Sequence, residues 1–290
     1  MGSALDELIT LLDLEQLEVN LFRGVSPEED RQRVFGGQVA AQSFIAASRT
    51  VPESRPVHSL HGYFLRGGDT AAPIVYEVDR IRDGKSFTTR RVVAIQHGKV
   101  IFNLAVSFQV VEDGPDHQDP MPPGVPDPET LPSFEERIAA NSDALGPEFT
   151  DWLTQERPIL SRPVDDPQWL QQREARAPDS DVWIRSNGAL PDDPLLHTCI
   201  VIYASDLTLL DTASLPHAIR YGDGSFMVAS LDHAMWFHRP FRADDWLLYH
   251  QHSPSASGAR GLAEGQIFTR DGRLAVTVIQ EGLMRPIGRR

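Results

Sequence analysis

The sequence predicts an α+β protein made of two related units, each with one long central helix wrapped by a curved antiparallel sheet. Both halves contain β-forming runs punctuated by hairpin-turn sequences, and each half contains one helix-like segment that is apolar nearly all round. A proline-rich stretch separates the halves. We therefore expect a first unit over residues 1–111, a linker over 112–135, and a second unit over 136–290.

The first unit opens with a short helix and continues with the first central helix. Ser3 and Asp6 predict a capping box for a helix that runs through Leu12. Residues 38–48 follow Phe-Gly-Gly and place small or apolar side chains around the whole circumference, which predicts a helix that other elements enclose. Residues 74–111 are rich in β-formers and contain two turn sequences, so they predict consecutive hairpins.

The boundary between the units is residues 112–132, because seven of these twenty-one residues are proline and six are acidic. Downstream, Asp193 before Pro194 is a helix start signal, and we expect the second central helix to run from there toward Leu210. Residues 246–284 again contain β-forming runs separated by a turn sequence, as in the first half.

A shared pattern relates the two strand-rich regions. Placing Gly98 over Gly272 lays residues 100–106 over 274–280, and the apolar pattern of the two segments agrees while most identities differ. A second similarity relates Ser-Leu-His at 59–61 to Ser-Leu-Asp-His at 230–233. The two matches occur in the same order on either side of the linker, which supports a duplicated unit.

Composition excludes several classes of protein. The 290 residues carry 27 Lys and Arg against 41 Asp and Glu, and this net charge of −14 argues against a general binder of nucleic acid or anionic membranes. The single cysteine, Cys199, forms neither an intrachain disulfide nor a Cys-rich zinc site and lies in an apolar stretch typical of core packing. The sequence shows no export leader and no membrane-spanning apolar run, so we expect a cytoplasmic protein.

Familiar catalytic and metal-binding motifs are missing from the sequence. It has no Gly-x-Ser-x-Gly, no His-Glu-x-x-His and no Gly-x-Gly-x-x-Gly. Gly84-Lys85-Ser86 resembles the end of a phosphate-binding loop, but the glycine required five positions earlier is Asp79, so we interpret the segment as a turn. The histidine pairs at 58/61 and 250/252 lack an accompanying set of carboxylates or thiolates, and we expect no metal site.

Three polar residues stand out within apolar segments of the second half: Asp206, Ser230 and Gln280. Asp206 follows the apolar part of the predicted helix, Ser230 opens a strand-like run, and Gln280 closes the last long strand at the position where the first half has Val106. From the residues alone, each can be a buried polar side chain whose hydrogen bonds are made within the core, with no role in catalysis. The alternative is chemistry, in which a carboxylate accepts a proton from a water that the hydroxyl and the amide hold.

Six segments of the chain resemble the type II (TesB-type) acyl-CoA thioesterases. The resemblance covers about residues 5–285 in order, and the tryptophan-containing segment is highly specific. The segments are Val-Phe-Gly-Gly-Gln-Val at 34–39, His-Ser-Leu-His-Gly-Tyr-Phe-Leu-Arg at 58–66, Arg-Asp-Gly-Lys-Ser-Phe at 82–87, Tyr-Ala-Ser-Asp at 203–206, Leu-Asp-His-Ala-Met-Trp-Phe-His-Arg-Pro at 231–240 and Gln-Glu-Gly at 280–282. The family implies a double hotdog fold, which agrees with the duplication.

The resemblance also implies a catalytic group. The family uses an Asp, a Thr or Ser, and a Gln in the second unit, and the motifs match these to Asp206, Ser230 and Gln280; Ser230 keeps the hydroxyl of the Thr that bacterial relatives often carry. The implied reaction is hydrolysis of fatty acyl-CoA, medium- to long-chain, to a free fatty acid and CoASH by a water that Asp206 activates. No metal or other cofactor is needed. An acyl-enzyme on Ser230 is disfavoured because the motif supplies no adjacent histidine base.

The implied partner is the acyl-CoA substrate, and by analogy the chain forms a homodimer or homotetramer. The anionic CoA moiety needs cations at the mouth of the site, for which the sequence offers four unranked residues: Arg66, Lys85, Arg90 and Arg260. Two other functions stay open, namely a non-catalytic acyl-CoA sensor or carrier and a hotdog enoyl-CoA hydratase that relies on an Asp/His pair. Asp232 and His233 suit the hydratase poorly, because neighbours on a strand point to opposite faces.

Overall fold

The computed structural model describes residues 2–27, 33–145, 154–167, 170, 174–219 and 225–287. Within these residues, thirteen strands form one antiparallel sheet that runs through both halves of the chain. Among the described residues, no helix combines the length and the apolar character needed to cross a bilayer.

The first half contributes six strands, which lie in the order β1-β2-β4-β5-β6-β3. They are β1 (Glu15–Glu18), β2 (Leu21–Gly24), β3 (Val57–Phe64), β4 (Ile74–Asp83), β5 (Phe87–Gln96) and β6 (Lys99–Gln109). The two predicted hairpins are present between β4 and β5 and between β5 and β6. His97 and Gly98 in the second turn have φ of 49° and 68°, the left-handed conformation that two-residue hairpin turns require.

The second half contributes seven strands, six of which lie in the order β10-β13-β12-β11-β8-β7, while β9 also pairs with β13. They are β7 (Ile159–Pro163), β8 (Asp179–Ser186), β9 (Phe226–Ser230), β10 (Asp232–Phe237), β11 (Leu247–Ser257), β12 (Arg260–Thr269) and β13 (Leu274–Pro286). The predicted turn between β12 and β13 is present, and Gly272 within it has a positive φ of 85°.

The halves meet where β3 pairs with β10, with Leu60 opposite Met235. Counted inward from either edge, the strands follow equivalent successions, β1-β2-β4-β5-β6-β3 and β7-β8-β11-β12-β13-β10. A long helix precedes the innermost strand in both halves. The predicted α+β architecture of two related units, each with a central helix and an antiparallel sheet, is confirmed.

The helices explain where the core lies. They are α1 (Ala4–Leu12), α2 (Gly36–Ser48), α3 (Phe134–Leu145), α4 (Pro194–Ser205) and α5 (Asp211–Ser214). Ser3 and Asp6 form the predicted capping box of α1. Every residue from 37 to 47 of α2 is buried, because its small side chains let α4, β5 and β6 pack closely around it. In α4, seven of the twelve residues are buried, and Cys199 is fully buried.

The proline-rich segment after β6 packs against the second half. Trp183 Nε1 donates to the Pro126 carbonyl at 2.9 Å, and Trp246 Nε1 donates to Glu129 Oε1 at 2.9 Å. Gln118 Oε1 accepts a hydrogen bond from the Leu274 N–H at 3.0 Å. The segment that composition marks as a linker is therefore held along its length by specific hydrogen bonds.

Candidate active site

Asp206 lies at the carboxyl end of α4. The helix ends at Ser205, and Asp206 itself has φ −89° and ψ 1°. The Leu207 N–H bonds to the Ala204 carbonyl, three residues back, so the chain leaves the α-helical path here. The predicted extension of this helix to Leu210 is therefore wrong, because residues 206–210 form turns. The turn brings the Asp206 carboxylate to the start of α2.

The structure brings Asp206, Ser230 and Gln280 together. Gln280 Nε2 donates to Asp206 Oδ1 at 2.6 Å, and Ser230 Oγ donates to the same oxygen at 3.4 Å. Gln280 is fully buried on β13, whereas Asp206 and Ser230 are partly accessible. Ser230 pairs with Gly282, which shares a face of β13 with Gln280. A carboxylate, a hydroxyl and an amide therefore converge from one helix end and two neighbouring strands.

The start of α2 closes the site from the first half of the chain. The Gly37 N–H donates to the Asp206 carboxylate. A Cβ built on Gly36 would lie 2.7 Å from Asp206 Oδ2 and 2.8 Å from the Phe64 ring, so only glycine fits without displacing them. Phe35 provides no side-chain cap for α2, and the Asp206 carboxylate supplies the negative charge that a helix N-terminus favours. The site therefore lies at the seam between the two halves.

The electrostatics of the site suit proton transfer. Burial raises the pKa of Asp206 from 3.8 to about 6, while hydrogen bonds from Gln280, Gly37 and Ser230 oppose that rise. The carboxylate is therefore ionised at neutral pH but is a stronger base than an exposed aspartate. A base with a pKa close to the working pH is effective at taking a proton from water.

In the first half, the place equivalent to that of Asp206, Ser230 and Gln280 is occupied by an arginine. The pairing of Val106 with Arg90 corresponds to the pairing of Gln280 with Ala263. Arg90 is only 1% exposed, and its guanidinium donates to Thr50 Oγ1 at 2.8 Å, just beyond the end of α2. It also donates to the Thr50 carbonyl and to Asp83. A satisfied arginine thus fills the position that the second half uses to gather three polar side chains.

Asp232 and His233 do not form a catalytic pair. Asp232 Oδ1 accepts the Glu281 N–H at 2.7 Å, whereas His233 Nε2 lies 2.8 Å from Ser205 Oγ in the core. Asp232 is partly exposed and His233 is 1% exposed, as expected for opposite faces of β10. The arrangement required for a hydratase that uses these two residues is therefore not present.

The four cations suggested for CoA differ in accessibility. Arg90 is excluded because it is buried and fully bonded. Arg66 is exposed and donates to the Val100 carbonyl, and Arg260 is ion-paired to Glu281 at 2.8 Å. Lys85 is exposed in the β4–β5 turn.

A pocket with about 270 Å³ of empty volume opens beside the start of α2. Its lining includes Phe35 and Tyr203, whose rings meet edge to face at 4.9 Å, and Arg33. Arg33 is exposed, and it was not among the cations that the sequence suggested.

Two of the histidines form cross-strand pairs with aspartates. His250 Nδ1 lies 2.8 Å from Asp181 Oδ1, and His252 Nδ1 lies 2.8 Å from Asp179 Oδ1, as cross-strand pairs between β11 and β8. Among the described residues, no group of three His, Cys, Asp or Glu side chains could hold a metal ion.

Sequence reasoning missed the first-half contribution to the site. Gly36 and Gly37 were interpreted only as the entry to a helix, although two glycines before an enclosed helix are a known signal for close approach to an anionic group. It also missed Tyr249, whose hydroxyl donates to the Ser205 carbonyl at 3.1 Å. Nothing in the local sequence around Tyr249 signals that contact.

Comparison with known proteins gives consistent matches. One family model, described as acyl-CoA thioesterase, matches residues 154–283, and another, described as acyl-CoA thioesterase N-terminal domain, matches residues 26–109. Acyl-coenzyme A thioesterase 8 of Mus musculus is 44% identical over 98% of this chain and 91% of its own length.

Solved structures match along nearly the whole chain. The crystal structure of an acyl-CoA thioesterase II from Mycobacterium marinum is 46% identical, with a TM-score of 0.79, and the match covers 97% of this chain and 99% of that chain. A protein of unknown function with a hot dog fold from Alicyclobacillus acidocaldarius is 19% identical, with a TM-score of 0.77 over 97% of this chain and 99% of that chain. This second likeness concerns the fold alone.

Proposed function

This chain belongs to the acyl-CoA thioesterase family, and from that premise we propose that Asp206, Ser230 and Gln280 form its catalytic water site. The protein is an acyl-CoA thioester hydrolase with a double hotdog fold. The single observation that carries the proposed site is the convergence of Gln280 Nε2 and Ser230 Oγ on Asp206 Oδ1, at 2.6 and 3.4 Å.

In the proposed mechanism, Asp206 is the general base for direct hydrolysis. It takes a proton from a water as the water oxygen attacks the thioester carbonyl carbon. The carbon–sulfur bond then breaks, and the proton passes from Asp206 to the leaving thiolate, so the products are a free carboxylic acid and CoASH. Backbone N–H groups at the start of α2 stabilise the oxyanion, because helix N-termini favour negative charge.

Ser230 and Gln280 orient the carboxylate and the water in this proposal. A nucleophilic role for Ser230 is not part of this proposal, because the Ser–His pair that would activate it is not formed: His233 Nε2 is engaged by Ser205 Oγ at 2.8 Å. The first unit, residues 1–111, supplies the start of α2. The second unit, residues 136–290, is joined to it by residues 112–135 and supplies the three side chains.

We further propose that the acyl group is a medium- to long-chain fatty acyl group. The site is bordered by apolar and aromatic side chains, with Phe64 beside Gly36 and the Phe35–Tyr203 ring pair beside Gly37. These surfaces suit a hydrocarbon chain. Arg33 in the adjoining pocket gives a cation for the anionic CoA moiety.

We also propose an assembly state and a compartment for the chain. A homodimer or homotetramer is consistent with the outward sheet face at the β3–β10 junction, where His61 and Trp236 meet edge to face and Tyr63 is 57% exposed. A single buried Cys199 is consistent with the cytoplasm. Light scattering coupled to size-exclusion chromatography tests the assembly, and a monomer at micromolar concentration would contradict it.

The experiment that tests the site is thiol release from saturated acyl-CoA substrates of increasing chain length, with product analysis. Asp206→Asn is expected to lower kcat by about 10²–10⁴-fold, and Gln280→Ala by about tenfold or more. Two controls match them: Asp232→Asn changes a nearby carboxylate outside the site, and Gln251→Ala removes a buried amide of β11 that bonds Thr208 and Thr212. Both controls are expected to retain thiol release.

Each outcome separates the functions considered. Free CoASH from the parent, lost in Asp206→Asn but kept in Asp232→Asn, supports the site. A 3-hydroxyacyl-CoA product from a 2-enoyl-CoA would instead support a hydratase. If Asp206→Asn releases thiol at the parent rate, the proposed site is wrong.

A further inference from the structure

Ser205, the last residue of α4, is held by two side chains that the proposed mechanism does not use. Ser205 is fully buried. Tyr249 Oη, from β11, donates to its carbonyl at 3.1 Å, and His233 Nε2, from β10, lies 2.8 Å from its Oγ. The Ser205 carbonyl belongs to the peptide bond that leads directly into Asp206. Side chains from two strands therefore hold the residue that immediately precedes Asp206.

The hydrogen bonds of Ser205 define the protonation of His233. Ser205 Oγ donates to the Ile202 carbonyl at 2.9 Å, which leaves its lone pairs to accept from His233 Nε2–H. His233 Nδ1 is buried and has no partner in the described part of the chain, so it is the bare ring nitrogen, because a buried lone pair is tolerated better than a buried unpaired N–H. Burial also lowers the pKa of His233 to about 4, and the ring is neutral at physiological pH.

The protonation state and the position of the Tyr249 side chain are also fixed. It is fully buried, and burial together with the Asp206 charge raises the pKa of its hydroxyl well above the usual value, so the hydroxyl keeps its proton. Gly265 on β12 gives the ring its space, since a Cβ there would lie 2.3 Å from Tyr249 Cε2. Tyr249 therefore offers one rigid, uncharged donor to the Ser205–Asp206 peptide.

We propose that Tyr249 and His233 are positioning residues for hydrolysis: by holding the carbonyl and the hydroxyl of Ser205, they fix the direction in which Asp206 presents its carboxylate. This inference rests on the proposed role of Asp206 as the general base. The physical reason is that α4 ends at Ser205, so Asp206, whose own N–H bonds the Ala204 carbonyl, lies outside the regular helix. A misplacement of about 1 Å in a general base is enough to lower the rate by about 10²-fold.

The first half provides a matched control. Tyr76 on β4 pairs with Ala94 as Tyr249 on β11 pairs with Ile267, and the two tyrosines occupy equivalent positions in the repeat. Tyr76 is also fully buried, but its hydroxyl donates to Gln42 Oε1 at 2.6 Å, within the first half of the protein. Tyr76→Phe therefore removes the same atom from the same kind of site without touching the peptide before Asp206.

The test compares Tyr249→Phe and Tyr76→Phe in the full chain, with kcat, KM and the pH profile measured on a saturated acyl-CoA. We expect Tyr249→Phe to lower kcat by about five- to fiftyfold with KM changed less than twofold. We also expect the acidic limb of its kcat profile to move to higher pH, because a carboxylate that swings away from Gly37, Gln280 and Ser230 loses the bonds that hold its pKa down. Tyr76→Phe should keep the parent kcat and pH limb.

The outcomes distinguish this inference from the proposed function. If Asp206→Asn is inactive while Tyr249→Phe matches Tyr76→Phe in kcat and pH limb, the positioning role is wrong and the catalytic base stands. An equal loss in both tyrosine variants also overturns it, because the effect is then one of general packing. If Asp206→Asn keeps full activity, the proposed site has failed, whatever Tyr249→Phe does.

A second pair of variants tests the proposal if Tyr249→Phe folds poorly. Ser205→Ala removes the acceptor of His233 and keeps the backbone, and its control is Ser43→Ala, a fully buried serine of α2 whose Oγ donates to the Val39 carbonyl at 2.7 Å. A kcat loss and an upward pH shift confined to Ser205→Ala support the proposal. Parent-like kinetics in Ser205→Ala contradict the contribution of His233.

Discussion

Gly36 and Asp206 come from opposite halves of the chain, yet a Cβ on Gly36 would lie 2.7 Å from Asp206 Oδ2. The added methyl group of Gly36→Ala must displace both the Phe64 ring and the Asp206 carboxylate, which Gln280 and Ser230 otherwise hold in place. We predict at least a tenfold fall in kcat for thiol release, with a native circular dichroism spectrum. Gly114→Ala is the control, because no atom lies within 4 Å of a Cβ there, and equal activity of the two variants would contradict the prediction.

The pH dependence of hydrolysis follows from the raised pKa of Asp206. The base acts as the carboxylate, so kcat should fall about tenfold per pH unit once the pH drops below about 6. Gln280→Ala removes a hydrogen bond that lowers this pKa, so its acidic limb should lie at higher pH than that of the parent. Steady-state kinetics between about pH 4.5 and about pH 8 measure the acidic limb of the parent and that of Gln280→Ala. A limb near 4 in the parent would contradict the raised pKa of Asp206.

Asp206 also affects stability, in a direction opposite to its effect on activity. Its pKa is about 6 in the folded protein against 3.8 for the ordinary group, so the folded state binds the proton more tightly. Its contribution to stability is complete below the lower value and is lost as pH rises through about 6. At pH 8 we predict that Asp206→Asn raises the free energy of unfolding by on the order of 1–3 kcal/mol, with a smaller gain at pH 5. Urea unfolding at both pH values measures this, and a destabilised variant at pH 8 would refute it.

Arg90 is predicted to be essential for the stability of the first half. Its buried guanidinium bonds Thr50 and Asp83, and Arg90→Ala leaves those groups and a cavity uncompensated. We expect a loss of about 3 kcal/mol in the free energy of unfolding. The neighbouring Arg91 is 58% exposed in its ion pair with Asp79, and Arg91→Ala should change stability by less than about 0.5 kcal/mol. Thermal and urea unfolding of both variants decide the matter, and a similar loss in each would contradict the distinction.

Cys199 is predicted to be unreactive in the native protein. It is fully buried in α4, and burial raises the pKa of its thiol well above the ordinary value. A disulfide reagent such as dithionitrobenzoate should therefore react with fewer than about one-tenth of the chains in an hour without denaturant, and with one thiol per chain in urea. Rapid labelling of the native protein would show that α4 opens readily.

Local residue pattern was sufficient for most of the architecture. The capping residues of α1, the enclosed helix α2 and the hairpin turns at Gly98 and Gly272 were all predictable, because helix periodicity, caps and positive-φ turns are recorded over a few neighbouring residues. The end of α4 was not predictable in this way. Residues 206–210 are largely apolar, as a helix segment can be, but they form turns, and the Asp206 carboxylate bonds Gly37 in the other half of the chain.

The sequence by itself determined the duplicated α+β fold, the family resemblance and the choice of Asp206, Ser230 and Gln280, whose catalytic role stays a prediction. Only the tertiary structure decided that these three meet the start of α2 and that Arg90 fills the equivalent place in the first half. It also showed that Tyr249 and His233 form hydrogen bonds with Ser205. The physical reason is that patterns of three to four residues record which face of an element is buried. Contacts between residues far apart in the chain depend on sheet register and helix packing, which no local segment records.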